Sequence, residues 1–351
     1  MPHRFLHVAA SVLLCCCLTA GAEPLYRVTW LPQEMGVSDM NGAGHVAGYL
    51  FTPAGPRIAT WSDAGLQIRP ELGSPNGMNE HDDFVATRSD GPPPMPIGAW
   101  AWIGRTWRSI GAAAPEFGYI FARALNDGGS VVGELADSQA SSARRPFLYR
   151  NGDLRVLPTL GGSTGRANDV NNHGKSTGQA ALRNVDGSES RHASLLDSAS
   201  GRMRDLGTLG AGDSEGLDIN DRGQVVGISG SRGFLYSGGR MVDVGTLGGT
   251  EAFALSINNY GVVAGRGWLQ DNTPYGFLYF YGRMLNLDRL VALPPGWSVW
   301  VPLRINDAFQ ILAQLCRPNG GNTVCRVARL DPDPRGWLGP GRRIIDRIVA
   351  R

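Results

Sequence analysis

Apolar and polar positions along this chain alternate in short runs broken by Gly-rich turns, and one phrase returns again and again. "LDINDRGQVVG" (Leu217 to Gly227) has close relatives in "VSDMNGAGHVAG", "RALNDGGSVVG", "NDVNNHGKSTG" and "LSINNYGVVAG", and worn copies in "NGMNEHDDFVA" and "LRINDAFQILA". Each copy is anchored on an asparagine: Asn41, Asn79, Asn126, Asn171, Asn220, Asn258 and Asn306, spaced 38 to 49 residues apart. A second phrase follows most anchors at a distance, as in "PFLYRNGDLRVLPTLGG", "GFLYSGGRMVDVGTLGG" and "GFLYFYGRMLNL". Period-two alternation bounded by Gly, Asn and Asp predicts strands and tight turns, four strands to a unit. Repeats of this length built from four strands are the signature of β-propeller blades.

The expected fold is therefore all-β: a seven-bladed β-propeller of four-stranded blades over residues 23–330. The seventh unit breaks off into "DPDPRGWLGPG" after three strands, while an orphan strand, "YRVTWLP" (Tyr26 to Pro32), precedes the first unit. That strand is expected to complete the last blade and close the ring, since closure protects sheet edges that a solenoid would expose. The apolar residue before each anchor (Met40, Met78, Leu125, Val170, Ile219, Ile257, Ile305) and the repeated aromatics Phe147, Tyr149, Phe234, Tyr236, Phe277 and Tyr279 read as core.

The pattern resembles the bacterial HAF-repeat family of probable extracellular repeat proteins, through "DLGTLG" (Asp205 to Gly210), "GTLGG" (Gly245 to Gly249) and the anchors Asn126 to Asn258. The resemblance covers nearly all of the chain after the leader, although no literal His-Ala-Phe occurs and units two and seven are eroded. It implies an exported, propeller-like repeat protein and carries no activity with it.

The N-terminus fits export. Arg4, an apolar run from Phe5 to Leu18 and the small residues Ala20-Gly21-Ala22 form a secretory signal peptide, residues 1–22, too short in its apolar part to span a membrane permanently. Cys15, Cys16 and Cys17 raise a lipoprotein anchor as rival, but Leu14 stands where a lipobox wants a small residue. A secreted or periplasmic protein without stable membrane insertion is expected. The tail, residues 331–351, carries a short basic stretch from Arg342 that is readable as a helix.

Net charge is +2 for the whole chain, with Lys175 the sole lysine. A near-neutral chain lacks the clustered basic footprint of a nucleic-acid binder. A monomer without cofactor is expected. Three of the five cysteines belong to the leader. The others, Cys316 and Cys325, face each other across a Gly320-Gly321 hairpin turn and are expected to form a disulfide in an oxidising compartment.

Candidate chemistry is sparse. Asp218, Asn220 and Gly223 match a calcium loop, but its fifth position is Arg222, and the equivalents of Asp218 (Asp39, Gly77, Ala124, Asp169, Ser256, Arg304) do not keep an oxygen. Asn and Gly are what a tight turn needs, so Asn41, Asn126, Asn171, Asn220, Asn258 and Asn306 are expected to be structural turns, and no metal site is expected. "GGSTG" (Gly161 to Gly165) matches a nucleophile elbow by letter only. His45, His81 and His173 lie just past anchors and could line one rim. Three adjacent units carry long polar links bearing Arg144, Arg145, Arg183, Arg191 and His192, a candidate surface for an anionic partner. On these grounds the favoured function is a non-enzymatic exported scaffold binding a protein or anionic glycan through loops on one face, with no catalytic residue assigned. The alternative is a propeller enzyme, a glycan hydrolase or lyase acting at the central channel, with Glu215 and Glu251 as the nearest candidate acids.

Overall fold

The computed structural model describes residues 24–88, 98–111, 114–138, 140–210 and 212–333. The leader, most of the Pro-rich link of unit two and the basic tail lie outside the described residues. Among the described residues the regular structure is 27 strands, with a short 3₁₀ turn at Leu287–Arg289. All sheets are antiparallel and form propeller-type blades: five are four-stranded and one is seven-stranded.

The seven-stranded sheet departs from the expected pattern. Strand Gly65–Met78 runs through 14 residues and serves two units. Its first half pairs with Gly55–Ser62 and its second half with Phe84–Arg88. The connector "RPELG" lacks the Gly pair found at Gly248-Gly249 and stays extended between the two halves.

At the chain ends, Tyr26–Trp30 pairs antiparallel with Asn322–Pro332, so ordered structure reaches past the expected limit of residue 330. Cys316 and Cys325 are cross-strand partners with Cα atoms 4.1 Å apart, and they form the expected disulfide. The separation is that of a non-hydrogen-bonded pair, where side chains approach closest.

Each anchor asparagine does two jobs. The Asn220 Oδ1 accepts the backbone N–H of Arg222 and of Gln224, at 3.1 and 3.0 Å, which fixes the turn. Gly223 completes that turn at φ 75°, a conformation open to glycine. The Asn220 Nδ2 then donates to the carbonyl of Asn258 in the next unit at 3.0 Å. The same donation runs from Asn41 to Asn79, Asn126, Asn171 and Asn220, and from Asn258 to Asn306. Asn306 donates to the carbonyl of Asn41 at 3.0 Å. The expected structural role of these residues is thus exceeded: they tie units together as well as turning the chain.

Innermost strands share a second device, a β-bulge three residues before the anchor. Register slips there leave Ser38, Asn76, Arg123, Asn168, Leu217, Leu255 and Leu303 without a paired partner. Bulges re-aim side chains. Opposite the bulge stands the glycine of the "VVG" phrase. A methyl on Gly227 would strike the carbonyl oxygen of Glu215, and Gly48, Gly133, Gly178 and Gly265 are equally confined. The apolar residues before the anchors and the six repeated aromatics are all buried, as expected of core.

Candidate functional site

Residues of the bulges and anchors line two unlike cavities. At the turn end, a cavity of about 180 Å³ is lined by anchors, by the residues two before them and by the residues one after. The residues after the anchors make a second inter-unit chain. Gly42 N–H donates to Glu80, Glu80 to Asp127, Asp127 to Asn172, Asn172 to Asp221, Asp221 to Asn259 and Asn259 to Asp307, at 2.7 to 3.0 Å.

Deeper in the axis, the carboxylates of Asp39, Asp169 and Asp218 each accept a backbone N–H from a neighbouring unit: Met78, Ile219 and Ile257 respectively. Asp218 also accepts its own neighbour's N–H, from Ile219 at 3.0 Å. The calcium-loop letters therefore serve backbone amides. Burial, and then the charge and hydrogen bond of Asp218, push the Asp169 carboxyl well above the usual carboxylate range. Arg304 stands in unit seven where other units carry Asp, Ser, Gly or Ala. Its Nε donates to Asp39 at 2.6 Å, and the carboxylates of Asp39, Asp218 and Asp169 hold its guanidinium charged despite burial. Among the described residues no group of three or more His, Cys, Asp or Glu is placed to hold a metal ion.

The loop-end cavity is larger, about 560 Å³, and asymmetric. Leu217, Leu255 and Leu303 supply an apolar side; Asn76, Arg123, Arg166, Asn168, Glu215 and Arg304 supply a polar one. Arg304 lines both cavities and stands between the two ends of the axis. Glu215 is the carboxylate of this lining. Arg166 Nη2 lies 2.5 Å from its Oε2, and Asn168 Nδ2 donates to its Oε1 at 2.7 Å. Arg123 pairs more loosely with Glu134, at 3.4 Å, and lies over the Phe121 ring.

The expected loop residues divide. Arg144 and Arg191 line one small cavity of about 90 Å³ together with Arg166. Arg145 lies over the Phe117 ring, 4.8 Å from its centroid. Arg183 is exposed at the end of strand Lys175–Arg183. His192 pairs with Asp205 at 2.9 Å. Of the rim histidines, His45 pairs with Asp82 at 2.8 Å, and His81 lies 3.9 Å from Asp127. The His173 backbone N–H donates to Asn171. Glu251 lines neither axial cavity. Ser163 of the elbow-like letters sits in the strand Gly161–Val170, with its hydroxyl on Glu189, where no strand-to-helix turn exists.

Sequence reasoning missed Arg123, Asn168, Arg304 and the Arg166–Glu215 pair as site residues. Alignment of the repeats two, three and five residues before each anchor contained the signal, but alternation alone does not place those positions correctly unless the bulge is known.

No protein-family model matches the chain, and no curated protein matches it. Solved structures do. The β-propeller domain of the Trilobed protease from Pyrococcus furiosus is similar with TM-score 0.56 and 9% identity over 84% of this chain and 97% of that one. The acylaminoacyl peptidase of Pyrococcus horikoshii follows at TM-score 0.55 and 9% identity, covering 84% of this chain and 53% of that one. A structure from a study of two prolyl endopeptidases gives TM-score 0.51 and 11% identity, covering 89% and 51%. The chain spans about half the length of these two peptidases and nearly all of the isolated propeller domain. At such identities the likeness establishes a β-propeller fold. The expectation of a non-enzymatic scaffold is corrected here, because the propellers this chain is similar to belong to enzymes.

Proposed function

We propose that this protein is a channel enzyme, a propeller lyase that cleaves a uronate-bearing glycan at the loop-end mouth. The observation that carries the reading is the lining of that mouth: three guanidiniums, Arg123, Arg166 and Arg304, around a single carboxylate, Glu215. A glycoside hydrolase of the usual kind needs two carboxyl groups flanking the scissile bond. β-Elimination needs one base and a means of neutralising the carboxylate next to the proton removed.

In this reading the substrate carboxylate takes over the Arg166 guanidinium, with Arg123 beside it, through charge-assisted hydrogen bonds. Glu215 loses its counterion and is left free to accept a proton. It then removes the proton α to the uronate carboxylate, the electron pair forms the ring double bond, and the glycosidic C–O bond breaks with its oxygen leaving as the alcohol after protonation by solvent. Positive charge fixed beside the developing enolate lowers the barrier, and the leucine side of the cavity strengthens it by excluding water. Turnover of uronate oligosaccharides by the full chain, followed by absorbance of the conjugated product, tests this. Glu215→Gln should lower kcat by about 10²- to 10⁴-fold with an unchanged melting midpoint. New reducing ends without the chromophore would indicate hydrolysis, and no turnover of any uronate glycan would refute the proposal.

The framework belongs to the same proposal. Seven units are read as seven blades, the seven-stranded sheet counting as two that share Gly65–Met78. The ring is closed by Tyr26–Trp30. The circuit of anchor amides from Asn41 round to Asn306 and back supports this count. Export to an oxidising compartment, as a monomer similar to HAF-repeat proteins, is supported by the disulfide and by the leader-like residues 1–22, which lie outside the described residues.

A further inference from the structure

We infer that the substrate is a polymer, gripped by a second anionic subsite in the groove between units three and four; this rests on the channel-lyase reading. The cavity holding Arg144 and Arg191 lies beside the mouth, and Arg166 lines both. Two levels of guanidinium therefore run outward from the axis. Tyr119 and Phe121 stack with their planes 8° apart and centroids 6.3 Å apart. Arg123 lies 5.2 Å from the Phe121 centroid at the mouth, and Arg144 lies 4.1 Å from the Tyr119 centroid in the outer cavity. The aromatic pair thus spaces two guanidiniums along one wall.

The other two guanidiniums are paired with carboxylates, and Glu134 lines the outer cavity together with Arg144 and Arg191. Arg166 pairs with Glu215 at the inner level and Arg191 with Asp213 at the outer, at 2.5 and 3.0 Å. The groove is braced by the Gly165 N–H, which donates to the Arg144 carbonyl at 2.8 Å and joins the two units directly. Both outer arginines are held by planar or paired contacts, so less side-chain entropy is lost when an anion binds. A monomeric uronate fills the inner level alone. Only a uronate chain longer than the disaccharide that spans the scissile bond engages both.

The test is calorimetric binding to the full-length Glu215→Gln protein, whose turnover is slowed about 10²- to 10⁴-fold, using a uronate disaccharide, a long polyuronate and an uncharged glucan of equal length. The polyuronate should bind at least about tenfold more tightly per site than the disaccharide, since two more charge-assisted contacts form. Combining Arg144→Gln with Arg191→Gln should abolish that gain and leave disaccharide affinity unchanged. Arg145→Gln, over Phe117 and outside the groove, should leave both affinities unchanged. Equal affinity for both lengths, or an equal loss for both lengths in the double variant, would overturn the subsite while sparing the mouth; equal binding of the glucan would overturn both. Binding of neither uronate ligand would overturn the channel reading and the subsite with it.

Discussion

The two ends of the axis are built from the same seven strands, yet they differ in kind. At the turn end, every unit contributes an anchor asparagine and nearly every unit a polar residue after it, so each amide finds its partner in the next unit. At the loop end, the bulged position carries Ser38, Asn76, Arg123, Asn168, Leu217, Leu255 and Leu303, with no common chemistry. A repeat that must hold units together is kept uniform, because each copy satisfies buried polar groups of its neighbour. Positions that point into a cavity carry no such obligation and are free to diverge. Divergence is where a site is read. In units four and five it assembled Arg166, Asn168 and Glu215 within hydrogen-bonding distance.

Both ends depend on the seam. Deleting Tyr26–Trp30 strips Asn322–Pro332 of its outer partner, and cooperative unfolding should disappear; a full-height calorimetric transition in the deletion would argue against a closed ring. Next in size is the anchor. Asn220→Ala leaves two N–H groups and a carbonyl of the next unit without partners, and it should cost about 2–4 kcal/mol, read as a shift in urea midpoint at constant slope. A loss below about 0.5 kcal/mol, typical of surface positions, would break the contrast drawn between the two ends.

Asp169 sharpens it through pH. Its carboxyl titrates above the ordinary value near 3.9, so the neutral form is the one favoured by folding. That contribution is fully present below about pH 4 and is lost as pH rises through the elevated value. Asp169→Asn stays neutral throughout. The stability of wild type minus variant should therefore decline as pH rises above about 4, and parallel curves would refute it. The smallest effect belongs to the mouth. Leu217→Asn imitates Asn76 and Asn168 at the same place in other units and should change stability by less than about 1 kcal/mol, although it lies only three residues before Asn220.

Much of this was legible from residues alone because it is local. Strands, turns, the Asn–Gly anchors and the buried alternation each follow from neighbours a few positions apart, and Cys316 with Cys325 follows from counting across one hairpin. The shared strand Gly65–Met78 was not legible. Whether "RPELG" turns or stays extended depends on what pairs with it, and Arg57 opposite Leu72 decides that. Nor did the polar links of three adjacent units announce the individual partners of their residues, Phe117 for Arg145 and Asp205 for His192.

What the sequence by itself determined is the repeating unit and its core, since alternation and turn chemistry act over a handful of residues. The tertiary structure decided the site. Arg166 meets Glu215 across 49 residues and Arg304 meets Asp39 across 265, and only the packing of the units around one axis brings them together. The bulges add the last element, turning side chains toward that axis by a backbone slip that no side-chain pattern announces.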